Sequence, residues 1–360
     1  MPIIDADTHV TECDATFSYM DEAEQQRFFP SKGEMATPNG TRAYWLVDGL
    51  PRNRRRPNDA DPWSIMGELL DIPARLKAMD DMGVQTQVIY PTMFSSGGVE
   101  SAEAELALTR SYNRWLADRT STSGGRLRWV MLPSFHNMDE TIEQLRWAKD
   151  HGAVGVLKKG DAEAGFWPAE PYFYRFYEQA EKLDLPICFH VGTGYSGSMP
   201  LDRMSFFSFQ RFHLSQLNAF QTLVTAQVPK QFPKLRWAFV EASASWVPYV
   251  LYEMRRILSK AASRPGVAAS VAGSSDFEVP NDVLVKNNMY VSCFVDEDLP
   301  TIMKSTGEDS LVVGSDFVHH DFAEELDFMS ILQRRVEHGD LTQTAVRKMT
   351  YDNPKRLYGL

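Results

Sequence analysis

The chain has 360 residues, 43% of them hydrophobic and 12% aromatic, enough to bury a substantial core in one large domain or two small ones. A formal net charge of −11 argues against general nucleic-acid binding and names no substrate. Cys13, Cys188 and Cys293 are too few and scattered for a disulfide framework. No charged-then-apolar leader opens the chain and no apolar run is long enough for a bilayer, so a soluble cytoplasmic protein is the expectation.

Ile3-Ile4-Asp5-Ala6-Asp7-Thr8-His9 reads as a short buried strand. Alternation puts Asp5, Asp7 and His9 on one face and Ile4, Ala6 and Thr8 on the other, so a carboxylate and an imidazole can reach one ion from its end. Residues 13–70 follow as a long irregular segment with Phe17, Tyr19, Phe28, Phe29, Tyr44, Trp45 and the basic run Arg52–Arg56. From residue 70 the pattern is regular. A helix at 74–82 stops at Gly83, which can take the left-handed conformation that closes a helix. The strand 86–90 follows, then a helix at 102–119 and the strand 127–132. A helix at 138–150, with Asn137 or Asp139 as its cap, leads to the strand 154–158. A helix at 171–183 precedes Pro186–His190, and one at 213–227 precedes Leu235–Glu241. A helix at 246–258, the strand 289–293, a short helix and the strand 310–316 complete the series.

Eight short, near-continuously apolar strands with helices between most of them indicate a parallel sheet buried on both faces. The expected fold is a (β/α)8 TIM barrel, one domain over 1–360, whose functional residues lie at the C-terminal strand ends. A doubly wound open sheet is the rival, but no Gly-x-Gly-x-x-Gly turn follows the first strand. Segments 13–70 and 192–212 are read as lids or interfaces. The aromatic and arginine content of 13–70 suggests a homo- or hetero-oligomer with this insertion near a neighbour.

On that barrel the strand ends bring Asp7, His9, His190, Glu241 and Asp316 to one rim. Carboxylates sharing a low-dielectric pocket repel, and a divalent cation is the simplest compensation. Mixed imidazole and carboxylate donors suit Zn, Mn, Fe or Co, as one ion or two. His319-His320-Asp321 adds donors just beyond Asp316, and at least one of these should reach the site. Glu241 has three readings: a general acid/base, a carboxylate bridging to a second metal with help from His319, His320 or Glu12, or a group orienting His190 or His213. Lys158 ends the fourth barrel strand; with Lys159 it could bind a substrate carboxylate, carry a metal-bridging carboxylated form, or be solvated. His136 follows the third strand, and His151 and His338 read as surface residues.

Several motifs together resemble one family. They are Ile4–His9, Met82-Gly83-Val84, Val88–Thr92 with Tyr90 as a candidate substrate contact, His190-Val191-Gly192, Phe239–Tyr249, Gly314–His319 and Asn353–Leu360. The chain is similar to the second amidohydrolase group, which includes aminocarboxymuconate semialdehyde decarboxylase and the resorcylate-type decarboxylases. The resemblance implies a barrel with its metal on Asp7, His9, His190 and Asp316. Two positions depart from it: Asp7 stands where relatives have His or Glu, and Glu241 where the decarboxylases have a His that acts on substrate. The implied function is a metal-dependent enzyme acting on a small carboxylate-bearing substrate by hydrolysis or non-oxidative decarboxylation, with catalytic roles for Asp316, Glu241 and His319. A dinuclear iron or iron–manganese oxygenase is the alternative, and a metal-binding partner subunit a third.

Overall fold

The computed structural model describes residues 2–37, 40–54, 62–95, 99–192, 213–262, 264, 278–319 and 323–360. The segment 193–212, residues Arg55 and Arg56, and His320 therefore lie outside the described residues.

Strand β1 (Ile4–His9) begins an eight-stranded parallel sheet. Beyond the insertion it continues through β5 (Thr86–Tyr90), β6 (Leu127–Met131), β7 (Ala153–Lys158), β8 (Ile187–His190), β9 (Trp237–Val240), β10 (Met289–Ser292) and β11 (Leu311–Val312), in that spatial order. The ends of this sheet meet. Past β11 the chain runs beside β1, with Ala6 N donating to Val313 O (3.1 Å), Asp316 N to Asp7 O (3.0 Å) and His9 N to Phe317 O (3.0 Å). An open doubly wound sheet is thereby excluded, and the barrel has no free edge. Gly314 permits the seam: a Cβ there would sit 2.3 Å from the Asp7 Cβ and 2.8 Å from its backbone nitrogen.

Helices form the outer layer because the outward residues of the strands are large and apolar. Phe189 and Phe239 stack at 5.3 Å, and Phe220 and Trp246 meet Phe239 at 5.6 and 5.9 Å, fixing the helices Ser215–Thr225 and Trp246–Ala262 against β8 and β9. Each such ring, fully buried, contributes about 1.5–3 kcal/mol. Most boundaries fall close to those read from the sequence. Asn137 caps Met138–Asp150 by accepting from Glu140 N, and Gly83 closes Ile72–Asp81 from φ +71°.

The insertion differs from its expected irregular form. It holds an antiparallel meander of β2 (Ser31–Thr37), β3 (Gly40–Val47) and β4 (Leu50–Asn53). It also folds back on its own barrel. Asp48 accepts from the backbone of Glu100 and Ser101 at the start of the helix Ala102–Ser121. Along that helix, Tyr19 donates to Asp118 (2.6 Å) and Ser111 to Thr16 O (2.7 Å), and Arg110 pairs with Glu24. Phe17 and Trp45 are buried against one another. Much of the aromatic surface that suggested a neighbouring chain is thus spent within this one.

One buried cation ties the seam together. Arg75, fully buried on Ile72–Asp81, donates through Nε to Gln87 Oε1 and through Nη1 to His9 O, both at 2.9 Å. Gln87 and Ser315 in turn donate to Asp5, so β1, β5 and the chain after β11 share one polar network. Burial lowers the Arg75 pKa to about 9, so it remains charged at neutral pH. Arg75→Met should therefore destabilise the fold by about 3–5 kcal/mol through the stranded partners. The check is the urea midpoint; a change under about 1 kcal/mol would remove this network from the account.

Candidate metal centre

β1 delivers Asp7 and His9, β8 ends in His190, Glu241 follows β9, and Asp316 and His319 follow β11. Parallel strands all end on one rim, so these side chains converge. The turns that aim them are strained: Glu241, Ser243, Asp316 and Val318 have φ of +61°, +59°, +55° and +70°. A β-branched residue such as Val318 rarely adopts this conformation, and here the Glu324 carboxylate accepts its N–H (2.9 Å). Strain of this kind persists where the surroundings enforce it, characteristically at functional sites.

Both first-rank imidazoles are oriented from behind. His9 Nδ1–H donates to Pro91 O (2.9 Å) and His190 Nδ1–H to Val191 O (3.0 Å), which turns each Nε2 lone pair into the cluster. His9 Nε2 lies 3.1 Å from Asp316 Oδ1, 3.6 Å from Asp7 Oδ1 and 3.7 Å from Glu241 Oε2. His190 Nε2 lies 3.1 Å from Glu241 Oε2 and 3.6 Å from Asp7 Oδ1. His319 stacks on His9 (4.3 Å) and places Nδ1 3.0 Å from both Asp316 oxygens and 3.7 Å from Glu241 Oε1.

The donor set fits a divalent ion. Asp7 Oδ1, His9 Nε2, His190 Nε2 and both Glu241 oxygens are buried and make no hydrogen bond. Donors about 2.1 Å from a common ion lie about 3.0–3.4 Å apart, close to the separations here. Among the described residues two overlapping quartets emerge, Asp7/His9/His190/Glu241 and His9/Glu241/Asp316/His319, each with ligand atoms within 4.8 Å of one another.

Burial, reinforced by the Asp316 charge, raises the Glu241 carboxyl above the usual range. Burial acts the same way on Asp316, but His319 and His9 outweigh it and hold that carboxylate well below the ordinary value. For His9, burial opposes protonation, yet Asp316, Glu241 and Asp7 overcome it and the pKa is well raised; Asp7 and Glu241 do the same for His190.

Other expected residues land elsewhere. Lys158 lies outside both donor quartets: its ammonium pairs with Glu163 (2.7 Å) and sits over Phe135 (4.8 Å) and Phe173 (3.7 Å). Lys159, its neighbour, is the lysine that lines the mouth. The Tyr90 hydroxyl bonds Tyr358 (2.8 Å), which donates to Ala6 O, and its ring supports His190 at 5.0 Å. Glu12 accepts from Thr92 N and Met93 N and stands apart from both quartets. His213 donates to Ala242 O (3.0 Å), bracing the turn after Glu241. Asp5 belongs to the seam. Sequence reasoning missed Glu297, whose carboxylate accepts from Ser243 Oγ, Ser245 Oγ and the backbone of Ala244, Ser245 and Phe294, fixing the turn that carries Glu241. Its partners on that turn lie more than fifty residues away, and no local pattern announces it.

Over the ends of β5–β7 lies a cavity of about 510 Å³ with Phe94, Leu132, His136, Leu157, Lys159 and Trp167 in its wall.

Fold and site together define a class: a parallel β/α-barrel protein with a candidate divalent-metal centre at its mouth. The profile of an amidohydrolase family matches residues 4–360, and the chain belongs to that family. Gamma-resorcylate decarboxylase of Rhizobium radiobacter is 28% identical over 138 residues, 36% of this chain and 42% of that protein. The match thus spans under half of that relative's length. An amidohydrolase from Mycobacterium avium subsp. paratuberculosis shares the fold with a TM-score of 0.74, at 19% identity, over 99% of both chains. The 5-carboxyvanillate decarboxylase of Novosphingobium aromaticivorans, with bound manganese and 3-methoxy-4-hydroxy-5-nitrobenzoic acid, gives 0.69 at 14% identity, over 100% of this chain and 97% of that one.

Because His9 and His190 have raised pKa values without metal, an ion must displace protons to bind. Affinity for Zn or Mn should rise with pH, with about one to two protons released per ion. Calorimetry in buffers of different ionisation enthalpy measures this, and uptake without proton release would contradict the arrangement.

Proposed function

We propose that the protein is a metal-dependent enzyme acting on a small carboxylate-bearing organic acid by non-oxidative decarboxylation, with hydrolysis as the neighbouring chemistry on the same site. The observation that carries the reading is the cluster of buried, unbonded donor atoms on Asp7, His9, His190 and Glu241. The partial match to gamma-resorcylate decarboxylase favours decarboxylation over hydrolysis. Asp7, His9 and His190 would hold the ion, with Glu241 from the same quartet or Asp316 as the resemblance implies, and when bound it would supply Lewis acidity and charge compensation for an anionic substrate.

The chain's own groups then handle the proton. When a C–CO2 bond breaks, its electron pair stays on carbon and that carbon must be protonated. Asp316 is held ionised and accepts from His319 Nδ1, so the two form a carboxylate–imidazole pair suited to moving a proton. His319 keeps 15% of its side chain exposed, whereas His9 has 0%, so His319 is the imidazole a substrate can reach. Glu241, with its raised pKa, is the second candidate donor, at the position where the resembling decarboxylases carry a His.

One observation favours a second reading, a dinuclear oxygenase. The two Glu241 oxygens face different partners: Oε2 meets His9 and His190, while Oε1 meets His319. A carboxylate so placed can bridge two ions, and His9 and Glu241 are common to both donor quartets.

Glu241→Gln, assayed for metal content and for CO2 release from hydroxybenzoates such as 2,6-dihydroxybenzoate, separates the two. Under the leading reading one ion per chain is retained while the rate falls about 10²–10⁴-fold, without oxygen consumption. A drop from two ions to one, with iron present and oxygen consumed by the parent protein, would replace it with the oxygenase.

A further inference from the structure

Among the motifs of the sequence, Asn353–Leu360 holds no metal donor, yet its helix reaches the strand that carries two of them. Asn353 Nδ2 donates to Glu308 O (2.8 Å) and Leu311 O (2.7 Å), docking the helix Asn353–Tyr358 beside the start of β11. From there Tyr358, fully buried, extends to β1 and donates to Ala6 O (2.7 Å). A hydroxyl has one proton to give, so in the 2.8 Å bond between the two tyrosines Tyr90 is the donor. Burial holds both phenols well above their ordinary pKa, and both keep that proton.

Ala6 lies where β1 departs from regular pairing. Asp5 stands opposite Gln87 and Thr8 opposite Ile89, so Ala6 and Asp7 together face Val88. One extra residue bends a strand and re-aims a side chain, and here it sits beside a donor of the first quartet, Asp7. Two hydroxyls clip the irregularity: Thr8 Oγ1 donates to Val88 O (3.0 Å), and Tyr358 supplies Ala6 O with a donor from outside the sheet. On the β11 side, Ser315 N donates to the Asp5 carboxylate (2.8 Å) and Asp316 N to Asp7 O (3.0 Å). The hydroxyl chain also adjoins the imidazoles. The Tyr90 ring lies 5.0 Å from His190 and 6.4 Å from His9, and the next residue, Pro91, accepts from His9 Nδ1.

We propose that Tyr358 is a positioning residue for the metal centre: with Thr8 it holds the β1 bulge that aims Asp7, and through Tyr90 it steadies His190. The inference rests on the reading of the donor cluster as a metal site. Tyr358 belongs to neither quartet and acts on the backbone beneath Asp7. Removing a contact that orients a metal ligand lowers metal affinity by about 10–100-fold. A hydroxyl with a purely structural role serves as the comparison: Tyr177, also fully buried, donates to Pro168 O (2.7 Å) from the outer helix Tyr174–Lys182 and belongs to neither quartet.

The test is titration of the chelator-stripped protein with cobalt(II), read by calorimetry and by the visible absorption of the bound ion, with urea midpoints in parallel. Tyr358→Phe, which keeps the ring and removes the hydroxyl, should bind cobalt about tenfold or more weakly and with altered absorption bands. Tyr177→Phe, which removes a comparable buried bond, should keep the wild-type bands and an affinity within about twofold. Thr8→Val removes the other clip and should weaken binding as Tyr358→Phe does; it decides the matter where Tyr358→Phe does not fold. The proposal is overturned if folded Tyr358→Phe keeps wild-type affinity and absorption, or if Tyr177→Phe loses as much. It is equally overturned if Tyr358→Phe does not fold and Thr8→Val binds like the wild type. A wild type that takes up no cobalt overturns the metal-centre reading and this inference with it, whereas unchanged binding in the variants removes Tyr358 alone.

Discussion

Three carboxylates and three imidazoles share one nearly dry rim, and several of their buried donor atoms make no hydrogen bond there. Asp7 Oδ1, His9 Nε2, His190 Nε2 and both Glu241 oxygens lack hydrogen bonds, although leaving one buried polar group unmet costs about 1–3 kcal/mol. Five such atoms are concentrated at this site, and the surrounding structure is built to hold them there. Pro91 and Val191 carbonyls fix the imidazoles, Glu297 holds the turn after β9, and Glu324 holds Val318 at φ +70°. A divalent cation is the one partner that meets all the unbonded donor atoms at once.

The same constraint explains the seam. Donors from β1 and from the chain after β11 must lie about 3 Å apart, so those segments have to touch. Gly314 lets them touch, and the Arg75–Gln87–Asp5–Ser315 network locks them beneath the site. The mouth is thus divided. Metal donors rise from β1, β8, β9 and β11, while the apolar cavity opens over β5, β6 and β7.

The barrel was legible because its strands are apolar on both faces and end in chemically distinctive residues. Asp7, His9, His190, Glu241, Asp316 and His319 announced themselves by type and by position at a strand end. The meander was not legible. Ser31–Thr37 has no apolar alternation, and its pairing depends on a Tyr44 ring lying where any Cβ on Gly33 would be (2.3 Å). The Glu163 pairing and the Phe135 and Phe173 rings around Lys158 were not legible either, because those partners lie on other segments. Arg75 and Glu297 act through backbone groups distant in sequence, a role that residue type does not signal.

Anomalous diffraction from crystals of the manganese-loaded protein addresses the metal centre directly. The account predicts a strong peak about 2.1–2.3 Å from Asp7, His9 and His190 donor atoms, with Asp316 or Glu241 completing the shell. Absence of density among these residues at saturating manganese, or an ion bound only elsewhere on the chain, would contradict it.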